Sequence, residues 1–291
     1  MQLFSLLLCG LFVYVENTQL PSETNFAYGY IKNIGIPMAE KIRKAEALQA
    51  SRIIGGVPAA LGQYPFQVGL WGEIFIDDAI AGSVCGGTLI SSSRVLTAAH
   101  CWFDGANQAW RFTVVLGSIY LFSGGTRVQT SAVVVHPNWS PTLIRNDVAV
   151  VYLPGPVTSS NTISPISLPS GSEMFESFAN ERAIAIGYGL TSDGGTISSD
   201  QFLSHVSLNV LTNSECSRAY PLIVQTSNIC TGGLGNVGFC DGDTGGPLVL
   251  FRDRPILIGV SSFRSGLGCE ASRSNVYARV TSFMDFINRH I

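Results

Sequence analysis

The chain is 291 residues long, 46% hydrophobic and 13% charged, with a formal net charge of −3. That length can bury one large core or two of ordinary size. Its 31 glycines, with no long run of charge, fit a loop-rich globular chain better than a disordered one. No basic stripe suits nucleic acid, and no Lys- or Arg-rich amphipathic stretch suits a membrane surface, so neither is expected as a partner.

Residues 3–15 are a nearly unbroken apolar run of 13 residues. A bilayer span needs about 20, so the run reads as the core of a signal peptide, residues 1–16, with the cut near Glu16. The first residues carry no charge and no clear small-residue cleavage site follows. No later run is long enough for a membrane helix, which predicts a soluble, secreted, extracellular product. Residues 17–52 form a polar propeptide in which 38–50, rich in Ala, Glu and Lys, has a short helical pattern. It ends at Ser51-Arg52, and the texture changes at once to Ile53-Ile54-Gly55-Gly56. That change marks a processing site after Arg52.

All three lysines (Lys32, Lys41, Lys44) precede Arg52, whereas the chain from Ile53 onward carries 12 arginines against 16 carboxylates, a net charge of −4. Arginine keeps its charge at any pH a protein meets, while lysine titrates near about 10.4. A basic set made of arginine alone suits a strongly alkaline medium such as a gut lumen; compositional drift is the plainer reading.

Once Cys9 leaves with the signal, Cys85, Cys101, Cys216, Cys230, Cys240 and Cys269 remain. An even number in an exported chain predicts three disulfides, and six cysteines allow about 15 pairings. None has zinc-finger spacing, so no metal or other cofactor is expected.

From 66 onward, short β-type runs alternate with turn residues: 66–70, 87–90, 112–116, 131–135, 148–153, 183–187, 203–210, 247–251, 256–261 and 276–280. The pattern predicts an all-β sandwich or barrel. In the tail, 282–291, Phe283, Phe286 and Ile287 recur at helical spacing and read as a packed final helix.

Three motifs punctuate this pattern. They are Leu96-Thr97-Ala98-Ala99-His100-Cys101, Asn146-Asp147-Val148-Ala149-Val150, and Cys240-Asp241-Gly242-Asp243-Thr244-Gly245-Gly246-Pro247. A lone histidine is more often structural than catalytic. In this order, and in an all-β chain of this length, the three together resemble the chymotrypsin family, and are most similar to the digestive chymotrypsins of insects. The resemblance runs from Ile53 to Ile291, and the propeptide is similar to theirs as well.

That resemblance implies two packed six-stranded antiparallel barrels, about 53–160 and about 161–291, with a C-terminal helix and an active site in the cleft between them. It implies that His100 is the general base, that Asp147 is the carboxylate holding its tautomer, and that the backbone N–H groups of Gly242 and Thr244 form an oxyanion hole. It pairs Cys85 with Cys101, Cys216 with Cys230, and Cys240 with Cys269. An activating protease cutting after Arg52 would free the Ile53 amine to bury itself against Asp243. The product would be a monomer that meets protein or peptide substrates, or protease inhibitors.

Several residues depart from the pattern. Thr244 stands where the resemblance calls for serine. It keeps a hydroxyl and can attack if a base is at hand, but its extra methyl crowds either the histidine or the substrate carbonyl. Gly238, at the base of the implied specificity pocket, supplies no carboxylate to select Lys or Arg. Arg264 follows Ser262-Phe263 at the pocket mouth, and Asn275 lies on the opposite wall, both where the family has glycine. If both point inward, large side chains are excluded. Asn138-Trp139-Ser140 is a formal glycosylation sequon, followed by Pro141. His136, His205 and His290 have no partner motif and read as structural or surface residues.

Three functions compete. The first is a serine protease homolog with crippled or absent proteolysis, keeping a cleft that binds inhibitors or peptides. The second is a weak digestive serine-type endopeptidase using Thr244. The third is a structural or storage role unrelated to the cleft.

Overall fold

The computed structural model describes residues 26–48, 57–76, 79–190, 202–232, 238–264 and 274–291. The predicted signal peptide, the Arg52–Ile53 junction and Cys269 lie outside the described residues.

The described chain opens with a turn, a π-helical segment Ile31–Gly35 and helix α1 (Ile36–Leu48). The helical pattern at 38–50 therefore corresponds to a real helix that begins earlier. After β1 (Val57–Pro58), the strands β2 (Gln67–Ile76), β3 (Ala79–Ser91), β4 (Arg94–Thr97), β5 (Ala109–Leu116), β6 (Thr126–Thr130), β7 (Val133–Val135) and β8 (Ala149–Tyr152) form one antiparallel sheet, ordered β6-β5-β2-β3-β4-β8-β7. The second sheet contains β9 (Arg182–Gly187), β10 (Ser204–Leu211), β11 (Asn228–Thr231), β12 (Pro247–Phe251), β13 (Pro255–Phe263) and β14 (Asn275–Arg279), ordered β1-β10-β11-β14-β13-β12-β9. A further β9–β10 pairing closes six of its strands into a barrel, while the first sheet curls without joining β6 to β7. The architecture is thus mostly β, with two barrel-like sheets and a short C-terminal helix.

The strands that sequence periodicity misses are short or polar. Edge strand β6 reads Thr-Arg-Val-Gln-Thr and is largely exposed, which suits an edge that must not recruit another chain. Helix α2 (Asn213–Ala219) carries no apolar stripe. It is started instead by a capping box, in which the Thr212 side chain accepts from Glu215 N and the Glu215 carboxylate accepts from Thr212 N. The tail is a 3-10 turn, Val280–Phe283, followed by α3 (Met284–Asn288), shorter than the predicted 282–291. Phe283, Phe286 and Ile287 are buried, as their spacing requires.

One apolar cluster, including Leu70, Leu96, Phe112, Leu116, Val249 and Val260, draws on both sheets and continues under α1 through Met38 and Ile42. The three histidines without motifs are packing residues. His136 meets Phe283 edge-on and Phe286 at a tilt, His205 meets Tyr64 edge-on, and His290 Nδ1 shares a hydrogen bond of 2.7 Å with the Tyr152 hydroxyl. Asn138 is exposed, so its sequon is sterically accessible.

Candidate active site

His100 sits on the 3-10 turn Ala99–Cys101 that follows β4, and the Cys85–Cys101 disulfide ties this turn to β3. Asp147 lies two residues ahead of β8, the neighbour of β4, so adjacent strands carry the two groups to one place. Asn146 adopts a left-handed φ of 58°, a conformation asparagine tolerates better than most residues, and thereby turns the chain just ahead of Asp147. The Asp147 carboxylate accepts the His100 backbone N–H at 3.0 Å and meets His100 Nδ1 at 2.7 Å. The Ser262 hydroxyl donates to the same carboxylate at 2.6 Å, so this residue, expected only on the pocket wall, also holds Asp147 in place. A buried carboxylate at Nδ1 keeps the proton there and leaves Nε2 as an acceptor facing the cleft. That Nε2 is buried and has no hydrogen-bond partner among the described residues.

Thr244 lies on the loop between Cys240 and β12, folded sharply by Gly242 (φ 97°) and Gly245 (φ 83°), conformations that favour glycine. Its carbonyl accepts from Gly86 N on β3 at 2.7 Å, which fixes the loop to the first sheet. Its side chain hydrogen-bonds the hydroxyl of Tyr30, not His100. Tyr30 belongs to the predicted propeptide, which the sequence reading did not place in this site. Its signal in the sequence is the aromatic cluster Phe26-Ala27-Tyr28-Gly29-Tyr30.

Both doubtful pocket residues point inward. Arg264 is 7% exposed and pairs with Asp241 at 2.5 Å. Asn275, at the start of β14, is 2% exposed. Its amide sits so close to Gly238 that a side chain there would collide with it. Its Nδ2 has no acceptor among the described residues. Between Thr244, Ser262 and Arg264 on one side and Phe26, Tyr30 and Ile34 of the predicted propeptide on the other, the space left is about 10 Å³, room for at most one water.

Asp243 turns its carboxyl inward, accepting backbone N–H groups from Gly189 at 2.7 Å and Cys240 at 2.8 Å. Burial pushes its pKa up from the usual 3.8 to about 7, against the lowering effect of those two hydrogen bonds. No described cation forms an ion pair with it. A carboxyl whose folded pKa is raised stabilises the fold fully below its unfolded pKa, and that contribution is lost as pH rises through the folded value. Relative to Asp243→Asn, the uncut protein should therefore lose up to about 4 kcal/mol between pH 4 and 7. Melting temperatures across that range check this, and parallel curves for the two proteins would contradict it.

Cys216 and Cys230 form the second disulfide, and Cys240 is disulfide-bonded as well. Among the described residues no cluster of His, Cys, Asp or Glu is arranged to hold a metal ion.

This geometry has relatives. The trypsin family model matches residues 53–287. A collagenase of Hypoderma lineatum is 37% identical over 244 residues, 84% of this chain and 88% of the relative. Brachyurin of Leptuca pugilator is 37% identical over 238 residues, 81% of this chain and 96% of the relative. The chain belongs to the trypsin family. Among solved structures, HL collagenase matches with a TM-score of 0.73 and 36% identity, covering 81% of this chain and 97% of the other. Trypsin-family membership accounts for the two barrel-like sheets.

Proposed function

We propose that this chain is a secreted trypsin-family homolog with crippled or absent proteolysis, whose cleft serves to bind peptides or protein inhibitors. The observation that carries this reading is a threonine at the nucleophile position of the Cys240–Pro247 motif beside a pocket occupied by Asn275 and by the Arg264–Asp241 pair. His100 and Asp147 would be base and orienting carboxylate, and Gly242 and Thr244 the oxyanion donors. Asp243 is the acceptor for the Ile53 amine after a cut at Arg52. The second reading, a weak digestive endopeptidase, draws on the hydrogen-bonded His100–Asp147–Ser262 system, which is sound chemistry for a general base. The test is calorimetric titration of protein cut before Ile53 and freed of residues 26–48 with a protein protease inhibitor, with turnover of a peptide substrate followed in the same sample. Binding without turnover is the expected result; turnover within tenfold of a Thr244→Ser form would refute the proposal.

The arginine-only basic set supports an alkaline setting. Burial holds the phenols of Tyr30, Tyr188 and Tyr277 far above the usual tyrosine range. Such groups favour the fold below about pH 10 and lose that contribution as pH rises through their folded values. The protein should accordingly remain folded to about pH 10 and melt above it, as read by circular dichroism. Unfolding near pH 9 would remove the alkaline reading.

A further inference from the structure

Residues 26–48 run through the cleft and along the first sheet. Ala27 is fully buried in a cluster with Phe263, Val276 and the Cys216–Cys230 pair, and the Phe26 ring lies 4.8 Å from the Arg264 guanidinium carbon. The Asp104 backbone carbonyl accepts from Gly29 N at 3.2 Å, and its carboxylate accepts from Ile31 N at 2.8 Å. Tyr30 covers His100, with ring centroids 4.9 Å apart, and its hydroxyl donates to Val84 O at 2.9 Å. Further on, Met38 packs beside Gly242. Near the end of α1, the Glu46 carboxylate accepts the backbone N–H groups of Leu121 at 2.6 Å and Phe122 at 3.0 Å.

These contacts make a ligand rather than a substrate. From Tyr30 to Leu48 the backbone is helical, with the Ile31 N–H taken by the Asp104 carboxylate, so it lays no extended strand before His100. Both ends are anchored independently of residues 49–56, by Asp104 on one side and by the Leu121–Phe122 backbone on the other. Between them Ile31, Met38 and Ile42 are buried. Lys32, Lys41 and Lys44, the only lysines of the chain, are all exposed on this segment.

We propose that residues 26–48 are a built-in peptide ligand of the cleft. The segment blocks His100 in the uncut chain and stays bound as a separate peptide after cleavage before Ile53. It is cleared only by a second cut at its exposed lysines. The inference holds whether or not Thr244 can turn over a substrate.

The body from Ile53 onward has no lysine, so a lysine-specific protease can destroy the segment and leave the rest intact. The test places an enteropeptidase recognition sequence directly before Ile53 in the full chain and cuts it. Native gel filtration is followed by denaturing mass spectrometry of the protein peak. Carbethoxylation of His100 by diethyl pyrocarbonate is mapped before and after lysine-specific digestion. The segment should co-elute one-to-one with the cut protein, and digestion should speed His100 modification at least tenfold. A Tyr30→Ala/Glu46→Ala form should lose the segment on the column. Separation of the wild-type segment from the cut protein would overturn the proposal, as would unchanged His100 modification after digestion. Neither readout depends on turnover, so failure here is distinct from failure of the crippled-protease reading.

Discussion

Thr244→Ser, in protein cut before Ile53 and cleared of residues 26–48, is expected to raise kcat/KM on an alanine-P1 peptide by two to four decades. Pointing a threonine hydroxyl at His100 strains its rotamer by about 0.5–1.5 kcal/mol. Seating the methyl in a packed site costs roughly 1–3 kcal/mol more. A displacement of about 1 Å in the attack geometry can remove about 100-fold by itself. At about 1.36 kcal/mol per decade the strain and crowding are worth about one to three decades, and because a displacement relieves part of that crowding the effects overlap, which puts the expected net at two to four decades. In the uncut chain the hydroxyl has turned to Tyr30 and His100 Nε2 has no partner among the described residues, as expected if the pairing with His100 is weak. Loss of the nucleophile altogether costs about a million-fold, so Thr244→Ala should fall below the wild type. A gain smaller than tenfold for the serine form would show that the methyl is accommodated.

Opening the pocket should give the second-largest change. In the Thr244→Ser form, Arg264→Gly with Asn275→Gly should improve an aromatic-P1 substrate over an alanine-P1 one by about 10- to 100-fold. Burying an aromatic side chain is worth about 1.5–3 kcal/mol, and the pocket as built denies it that burial. Asn275 fills the floor against Gly238 while Arg264 crosses the mouth to Asp241, so neither single change admits a ring. The two should be strongly non-additive in a double-mutant cycle. Additive single effects, or an unchanged ratio in the double form, would mean that both side chains swing aside for substrate.

What could be read in the sequence depended on how local the cause was. The long apolar runs around β2, β3, β5 and β13 announced themselves by composition. The motifs located His100, Asp147 and Thr244 because strand order alone brings β4 and β8 together. The polar helix α2 escaped because its capping box, not an apolar stripe, defines it. The directions of Arg264 and Asn275 depend on partners elsewhere in the fold, Asp241 and the bare face of Gly238, and periodicity carries no trace of them. The same is true of the segment before α1. Its helix was legible, but its place in the cleft rests on contacts such as Ile31 with Asp104, 73 residues apart.

The reactivity of the residue 244 hydroxyl can be measured without relying on any substrate fitting the pocket. Cut protein, digested at its lysines to free the cleft, is mixed with a small fluorophosphonate, and the adduct at residue 244 is followed over time by peptide mass spectrometry. The prediction is that Thr244 reacts at least 100-fold more slowly than serine in the Thr244→Ser form, while both proteins bind a protein protease inhibitor. Stoichiometric labelling of Thr244 at a rate within tenfold of the serine form would contradict a crippled nucleophile.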